Sequence, residues 1–246
     1  MPFVAEKIII ALDHEDFDGA KKFIELMGSS LKFVKVGSVL FSSCGPKILD
    51  YVASKNLKIF LDLKFHDIPN TVANSIRRVL KHAPIELLTI HSSGGAEMIS
   101  MAKESISMTK QKTKLLAVTA LTSLDEQNLK NIGYQGDPAE IVMRLAKLAH
   151  MSGADGVVCS PNELIMVRKN FSKEFIIVTP GIRPSMDATT SEKKVDDQKR
   201  IATPKFAFEN GANFIVMGRP ITQSDHPVEF FENILKGGQA DRSVKS

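Results

Sequence analysis

Three charged residues lie in the segment Phe60–Thr71, which begins as an apolar strand, and their spacing suits acid–base chemistry. Asp62 and Lys64 are two residues apart, so their side chains project from the same face of a strand. Asp67 follows closely enough to fold back over that face. Burying such an alternating charge array costs desolvation energy that folding alone does not offset. An isolated Asp–Lys pair is commonly a weak surface ion pair, but this run is too apolar for an exposed edge, which favours a catalytic site.

Length and composition are typical of a globular protein with a sizeable core. The 246 residues are 43% hydrophobic and 24% charged, with a net charge of +4, so small anionic substrates are favoured. Basic residues do not alternate with aromatic ones, which predicts no nucleic-acid partner. The distant Cys44 and Cys159 predict reduced thiols. The sequence shows neither a signal-peptide pattern nor a membrane-length apolar stretch, so we expect a cytoplasmic protein with no membrane partner.

Eight short apolar runs alternate with amphipathic stretches along the chain. Their nearly continuous hydrophobicity predicts parallel strands buried on both faces, at Lys7–Asp13, Phe33–Gly37, Lys58–Lys64, Glu86–His91, Lys114–Thr119, Gly156–Ser160, Phe175–Pro180 and Asn213–Gly218. Predicted helices include Phe17–Met27, Thr71–His82, Glu97–Ser107, Pro138–Met151, Pro161–Lys169 and Lys205–Asn210. Asn70 and Gly211 are the predicted caps of two of these helices. The repeats predict a single α/β domain, a (β/α)8 TIM barrel over residues 1–236, and a polar tail over residues 237–246.

The barrel prediction places the polar residues at strand ends on one face, where barrel enzymes build their active sites. These residues are Asp13, Lys35, Asp62, Lys64, His91, Thr119, Ser160, Arg183 and Arg219. Polarity at a strand end is ordinary for any one of them, and Asp13 could equally cap the helix that begins near Asp16. Four charged residues on the first three strands nevertheless favour a site.

Two segments on the same face predict a phosphate site. Gly218 and Arg219 end the eighth strand where a short helix begins, so free backbone N–H groups and a guanidinium are available to an anion. Arg183 follows the seventh strand, and the loops after strands seven and eight often bind phosphate in barrels. Either arginine alone could lie on the rim in water. The long polar stretch between Arg183 and Gln198 predicts a lid over the substrate, with disorder as the alternative.

The order of these motifs resembles the orotidine 5′-monophosphate decarboxylase family. The matching blocks are IIALD (Ile9–Asp13), FVKVG (Phe33–Gly37), FLDLKFHDIPNTV (Phe60–Val72), TIHSSGG (Thr89–Gly95), AVTALTS (Ala117–Ser123), GVVCS (Gly156–Ser160), TPGIR (Thr179–Arg183), DQKRIATP (Asp197–Pro204) and VMGRPIT (Val216–Thr222). The resemblance implies decarboxylation of orotidine 5′-monophosphate to uridine 5′-monophosphate, the last step of de novo pyrimidine nucleotide synthesis. It implies no cofactor and no metal.

The resemblance also implies roles for individual residues. Lys64 would protonate C6 of the ring as carbon dioxide leaves, while Asp62 would lie against the substrate carboxylate. Lys35 and Asp67 would complete the alternating charge array of the catalytic site. Asp67 and Thr71 would reach the neighbouring subunit's site in a homodimer. The other implied contacts are Asp13 and Lys35 to the ribose, Thr122 to the ring, and Gln198, Arg183, Gly218 and Arg219 at the phosphate. The predicted substrate site also includes the rest of the motif, namely Leu63, Phe65, His66, Ile68, Pro69 and Asn70.

Two other functions are compatible with parts of the pattern. Metal-dependent sugar-phosphate decarboxylases or aldolases of the same superfamily share the D-x-K-x-x-D strand, but they place an acidic residue at the end of strand two to bind Mg²⁺. Here that position is Lys35, which would repel a divalent cation. A non-catalytic phosphate-binding barrel would keep the arginines but gives no reason for Lys35, Asp62 and Lys64. The six histidines show no metal-binding spacing.

Overall fold

The protein folds into a closed barrel of parallel strands surrounded by helices. The computed structural model describes residues 2–184 and 201–237. Within these residues, eight strands pair in chain order and β8 closes the barrel against β1. The strands are β1 Ile8–Ala11, β2 Phe33–Gly37, β3 Lys58–Phe65, β4 Leu87–His91, β5 Lys114–Val118, β6 Gly156–Val158, β7 Ile176–Thr179 and β8 Phe214–Met217. The predicted (β/α)8 barrel is confirmed, and predicted strand ends differ from these by at most two residues.

Helices follow the strands and cover the outside of the barrel. They are α1 Phe17–Met27, α2 Ser38–Cys44, α3 Lys47–Ser54, α4 Pro69–Val79, α5 Gly95–Ser107, α6 Glu126–Asn131, α7 Pro138–Met151, α8 Pro161–Asn170, α9 Pro204–Glu209, α10 Arg219–Thr222 and α11 Pro227–Leu235. No helix in the described ranges is long and apolar enough to cross a membrane. The predicted tail, apart from Gly237, lies outside the described residues.

One of the two predicted helix caps is wrong. Helix α4 begins at Pro69, with Ile68 at the N-cap position, so Asn70 is already inside the helix. Proline suits this first position because its missing N–H would have no intrahelical partner there. The other predicted cap is confirmed, because Gly211 follows the end of α9 with a φ of 94°, a backbone conformation that glycine adopts without strain.

Apolar side chains form two concentric layers in the barrel. One cluster fills the interior and draws on most of the strands, with Ile9, Ala11, Phe33, Phe60, Leu87, Leu116, Val178 and Val216 as its buried members. A larger cluster packs the outer faces of the strands against the helices. Burying one large apolar side chain stabilises the fold by about 1.5–3 kcal/mol. The interior cluster is therefore a closely packed apolar core that lies beneath the carboxyl ends of the strands.

Candidate active site

Three ion pairs join side chains on or just after the first three strands into one charged cluster. Asp62, on β3, lies at its centre and is 8% exposed. One of its oxygens, Oδ2, is 2.9 Å from Lys64 Nζ and 3.7 Å from Lys35 Nζ. Lys35 Nζ also lies 3.5 Å from Asp13 Oδ1. The result is an alternating row of carboxylates and ammonium groups on the face where the sequence predicts the site.

Gly37 allows Lys35 to reach Asp62. In the β2–β3 ladder, Lys35 pairs with Phe60, whereas Asp62 pairs with Gly37. The lysine must therefore extend along the strand past position 37. A Cβ atom on Gly37 would lie 2.9 Å from Lys35 Nζ, closer than real Cβ contacts allow. The missing side chain at Gly37 is what leaves room for the ammonium.

An irregularity in β3 places Lys64. The β3–β4 register shifts between Leu61 and Phe65, and Lys64 has a φ of 50°. A residue other than glycine in this left-handed region costs roughly 1–2 kcal/mol. The buried Thr89 of β4 compensates at this point, because Lys64 N donates a hydrogen bond to Thr89 Oγ1 over 2.9 Å. Strained backbone held in this way is typical of functional sites.

The electrostatics keep Asp62 ionised. Burial of the carboxyl group raises its pKa, but the charges of Lys35 and Lys64 oppose this, as do hydrogen bonds from Lys64 and Thr89. The net effect holds the pKa of Asp62 below its ordinary value. At the end of β4, the pKa of His91 is lowered, first by burial and then by His66 and Lys64. This favours the neutral imidazole beside the charged cluster.

Two arginines follow β7 and β8, and β8 is the strand next to β1 in the barrel. Arg219 begins α10 directly after Gly218, and Arg183 follows Gly181 in the segment after β7. A Cβ atom on Gly218 would lie 2.9 Å from Asp13 Oδ2, so glycine permits the backbone of this turn to approach the charged cluster closely. Arg183 N donates to Ala202 O over 2.9 Å, which fixes the backbone next to its guanidinium group.

One cavity connects the charged cluster with the arginines. It has a volume of about 240 Å³. Its polar lining comes from Asp13, Lys35, Asp62, Lys64, Thr122, Arg183, Gly218 and Arg219. Its apolar walls include Phe60, Val158, Ile182 and Val216, side chains suited to the faces of a flat ring. The cavity therefore combines cationic, anionic and apolar surfaces.

The remaining predicted site residues lie away from this cavity or outside the described residues. Leu63 and Phe65 pack against the outer core. In the turn after β3 and the first residues of α4, Pro69 is half-buried, and the exposed residues are His66, Asp67, Ile68, Asn70 and Thr71. Asp67 Oδ1 accepts a hydrogen bond from Ile68 N. Gln198 and, apart from Pro184, the predicted lid lie outside the described residues.

Asp13 does not cap α1, because the Asp16 side chain accepts the capping hydrogen bond from Gly19 N. Thr89 was missed by sequence reasoning, although a threonine inside the apolar run LLTIH is a visible signal.

Within residues 2–184 and 201–237, no group of three or more His, Cys, Asp or Glu side chains is arranged to hold a metal ion.

The fold and the site define a (β/α)8-barrel protein whose cavity is lined by two arginines and by a Lys–Asp–Lys cluster centred on the buried Asp62. The chain matches the sequence model of the "Orotidine 5'-phosphate decarboxylase / HUMPS family" over residues 6–234. It belongs to this family.

Individual relatives cover almost the whole chain. The chain is 40% identical to orotidine 5'-phosphate decarboxylase of Nitrosospira multiformis, over 97% of this chain and 96% of that protein. It is 43% identical to the Pseudoalteromonas translucida protein of the same name, over 96% and 99% respectively. The crystal structure of orotidine 5'-phosphate decarboxylase from Lactobacillus acidophilus superposes with a TM-score of 0.81 at 39% identity, covering 94% of this chain and 98% of that one.

Proposed function

We propose that the protein decarboxylates orotidine 5′-monophosphate to uridine 5′-monophosphate. One observation carries this proposal. The Lys64 ammonium lies 2.9 Å from the buried Asp62 carboxylate, in the same cavity as Arg183 and Arg219. The substrate has a ring carboxylate that must leave and a phosphate that can anchor it. In the cavity, the Lys64 ammonium is available to the ring carboxylate, and the guanidinium groups of Arg183 and Arg219 are available to the phosphate.

Some residues of the site bind the substrate, and others stabilise the charge that develops during the reaction. Arg183, Arg219 and the backbone of Gly218 bind the phosphate, while Asp13 and Lys35 hold the ribose hydroxyls. The C6–carboxylate bond breaks heterolytically, carbon dioxide leaves, and the electron pair remains on C6. The fixed Lys64 ammonium stabilises this developing carbanion and then donates its proton to C6. The neutral amine regains a proton from solvent.

Asp62 has two parts in this mechanism. Its carboxylate orients both ammonium groups, because Oδ2 contacts Lys35 and Lys64. It also places a negative charge next to the substrate carboxylate, which is relieved when carbon dioxide leaves. This second effect raises the energy of the bound substrate, and it draws on the binding energy of the distant phosphate.

Lys35 separates this reaction from the metal-dependent chemistry of the sugar-phosphate relatives. Its ammonium lies between Asp13 and Asp62, 3.5 and 3.7 Å from their oxygens. A divalent cation between these carboxylates would have to displace the ammonium or bear its repulsion.

Thermal shift and turnover together test the proposal against the alternative functions. Uridine 5′-monophosphate should raise the melting temperature, because a ligand that binds only the folded state stabilises it. A pentulose phosphate with Mg²⁺ should not. Turnover of orotidine 5′-monophosphate should be unaffected by a chelator. Stabilisation by the nucleotide without turnover would instead indicate a non-catalytic phosphate-binding barrel.

We further propose a homodimer in which Asp67 and Thr71 complete the partner's active site. Both residues are exposed and lie outside the cavity of their own chain. They are accompanied by exposed apolar side chains directly after two neighbouring strands, since Val39 is 66% and Ile68 67% exposed. Exposed apolar side chains at this end of the barrel, together with a carboxylate that lies outside the cavity of its own chain, support association through this face.

Subunit mixing tests the shared site. Lys64→Ala and Asp67→Asn homodimers should each be nearly inactive. In an equal mixture with random exchange, about half the dimers are hybrids with one intact site each, so roughly a quarter of wild-type activity should return. Mixing Lys64→Ala with Asp62→Asn is the matched control and should restore nothing, because both residues serve the same site. No recovery in the first mixture despite proven exchange would refute the sharing of Asp67.

A cytoplasmic location is part of the same proposal. Cys44 and Cys159 are both free thiols, as expected in a reducing compartment. Cell fractionation would test it, and recovery of the protein outside the cytoplasmic fraction would contradict it.

A further inference from the structure

Thr89 makes two hydrogen bonds that join the two central groups of the active site. Its side chain on β4 is fully buried. The hydroxyl oxygen accepts from Lys64 N over 2.9 Å, and the hydroxyl donates to Asp62 Oδ1 over 3.0 Å. Thr89 does not line the cavity, so any effect it has on the reaction must pass through Asp62 and Lys64.

The position of Thr89 in the ladder explains the first hydrogen bond. Leu61 pairs with Leu88 and Phe65 pairs with Ile90, so three residues of β3 face one residue of β4 between these pairs. That one residue is Thr89. The Lys64 N–H donates to its side-chain oxygen, a contact that a regular parallel ladder would provide through a backbone carbonyl. The hydroxyl thereby holds the strained Lys64 backbone where the ladder is interrupted.

The second hydrogen bond determines which carboxylate oxygen faces the lysines. Thr89 occupies Oδ1 of Asp62, and both ammonium groups contact Oδ2. A hydroxyl can accept and donate at once, so one side chain fixes both the carboxylate rotation and the lysine backbone. Valine has the same shape but can do neither.

We infer that Thr89 is a positioning residue for the decarboxylation. It holds the Lys64 ammonium and the Asp62 carboxylate in the arrangement that the reaction requires, without touching the substrate itself. This inference rests on the proposed function, since it concerns the geometry of the same site.

Three variants test the inference. Thr89→Val removes the hydroxyl with little change in shape, and Thr89→Ser keeps the hydroxyl. Thr179→Val is the matched control, because Thr179 is an equally buried threonine at the end of β7 whose hydroxyl has no hydrogen-bond partner among the described residues. Hydrogen bonds to charged groups suggest a loss of about 10- to 100-fold in kcat for Thr89→Val. Its KM and its affinity for uridine 5′-monophosphate should stay within roughly threefold of wild type, because the phosphate contacts remain.

The serine variant separates positioning from packing. Thr89→Ser loses a methyl group but keeps both hydrogen bonds, so its kcat should stay within roughly threefold of wild type even if its melting temperature falls. A packing role predicts the opposite order, with the isosteric valine active and the serine impaired. Wild-type kcat in folded Thr89→Val, or an equal loss of kcat in Thr179→Val, would overturn the inference.

Two controls keep the result interpretable. If Thr89→Val does not fold, Thr89→Cys replaces it, because a thiol has similar volume but is a weak donor and acceptor. The same loss of kcat is expected, and an unchanged kcat overturns the inference. Wild-type enzyme that fails to turn over orotidine 5′-monophosphate would refute the proposed function itself, whereas an active wild type with an equally active Thr89→Val refutes only the role of Thr89.

Discussion

Replacing Lys64 by alanine should abolish turnover while leaving the nucleotide site intact. The substitution removes one positive charge and the proton donor from the charged cluster. Asp62 keeps its contacts with Lys35 at 3.7 Å and with Thr89 at 3.0 Å, so the fold should survive. The phosphate end is formed by other residues, and the affinity for uridine 5′-monophosphate should change by less than about tenfold.

The size of the loss follows from two physical contributions. A unit charge about 4 Å from the developing carbanion is worth roughly 4 kcal/mol at an effective dielectric constant of 20, or about three powers of ten in rate. General acid catalysis typically adds 10²- to 10⁴-fold. Together they predict that kcat of Lys64→Ala falls by about 10⁵-fold or more.

The assay follows the ultraviolet absorbance of the orotate ring, with product confirmed by chromatography. Lys55→Ala is a matched control, because Lys55 forms an exposed ion pair with Glu25 outside the cavity. Lys64→Gly is a second amine-free variant that tolerates the φ of 50°, so it should be more stable than Lys64→Ala by about 1 kcal/mol. Folded Lys64→Ala that keeps more than about 1% of wild-type kcat would refute the assignment of the proton donor.

Three further predictions address other parts of the site. Gly37→Ala should displace the Lys35 ammonium and lower kcat about tenfold or more, with little loss of stability because the φ of −97° suits alanine; an unchanged kcat would contradict the steric argument. Arg219→Ala should raise KM and the dissociation constant of uridine 5′-monophosphate by roughly 10- to 100-fold through loss of a charge-assisted contact, as measured by titration. The lowered pKa of Asp62 adds stability that is fully present above its unfolded value of 3.8 and is lost as the pH falls through the folded value. Urea unfolding of wild type and Asp62→Asn should therefore converge with acidification below about pH 4, and a pH-independent difference would contradict this.

The fold could be predicted from sequence because its main signals are local. Buried parallel strands are continuously apolar, and β2, α1 and α7 have the predicted bounds. Asn70 was wrongly predicted as a cap because proline at the first position of α4 made a side-chain cap unnecessary. The preference of asparagine for the N-cap position does not show that a neighbouring proline will start the helix at the preceding residue.

The candidate site was only partly predictable for a different reason. Strand alternation brings Asp62 and Lys64 to one face, and this could be read from spacing. The role of Thr89 and the φ of Lys64 depend on a register shift between β3 and β4, which is a property of two strands together. Likewise, the space that Gly37 leaves for Lys35 is a contact between side chain and backbone that sequence spacing does not encode.

The most direct test of the proposed decarboxylation is turnover of orotidine 5′-monophosphate by purified protein treated with a chelator, run in deuterium oxide. We expect loss of the orotate absorbance and equimolar formation of carbon dioxide and uridine 5′-monophosphate. The product should carry one deuterium at C6, delivered from the exchanged ammonium of Lys64. A protein that is inactive until Mg²⁺ is added, or that never forms uridine 5′-monophosphate, would contradict the proposed cofactor-free decarboxylation.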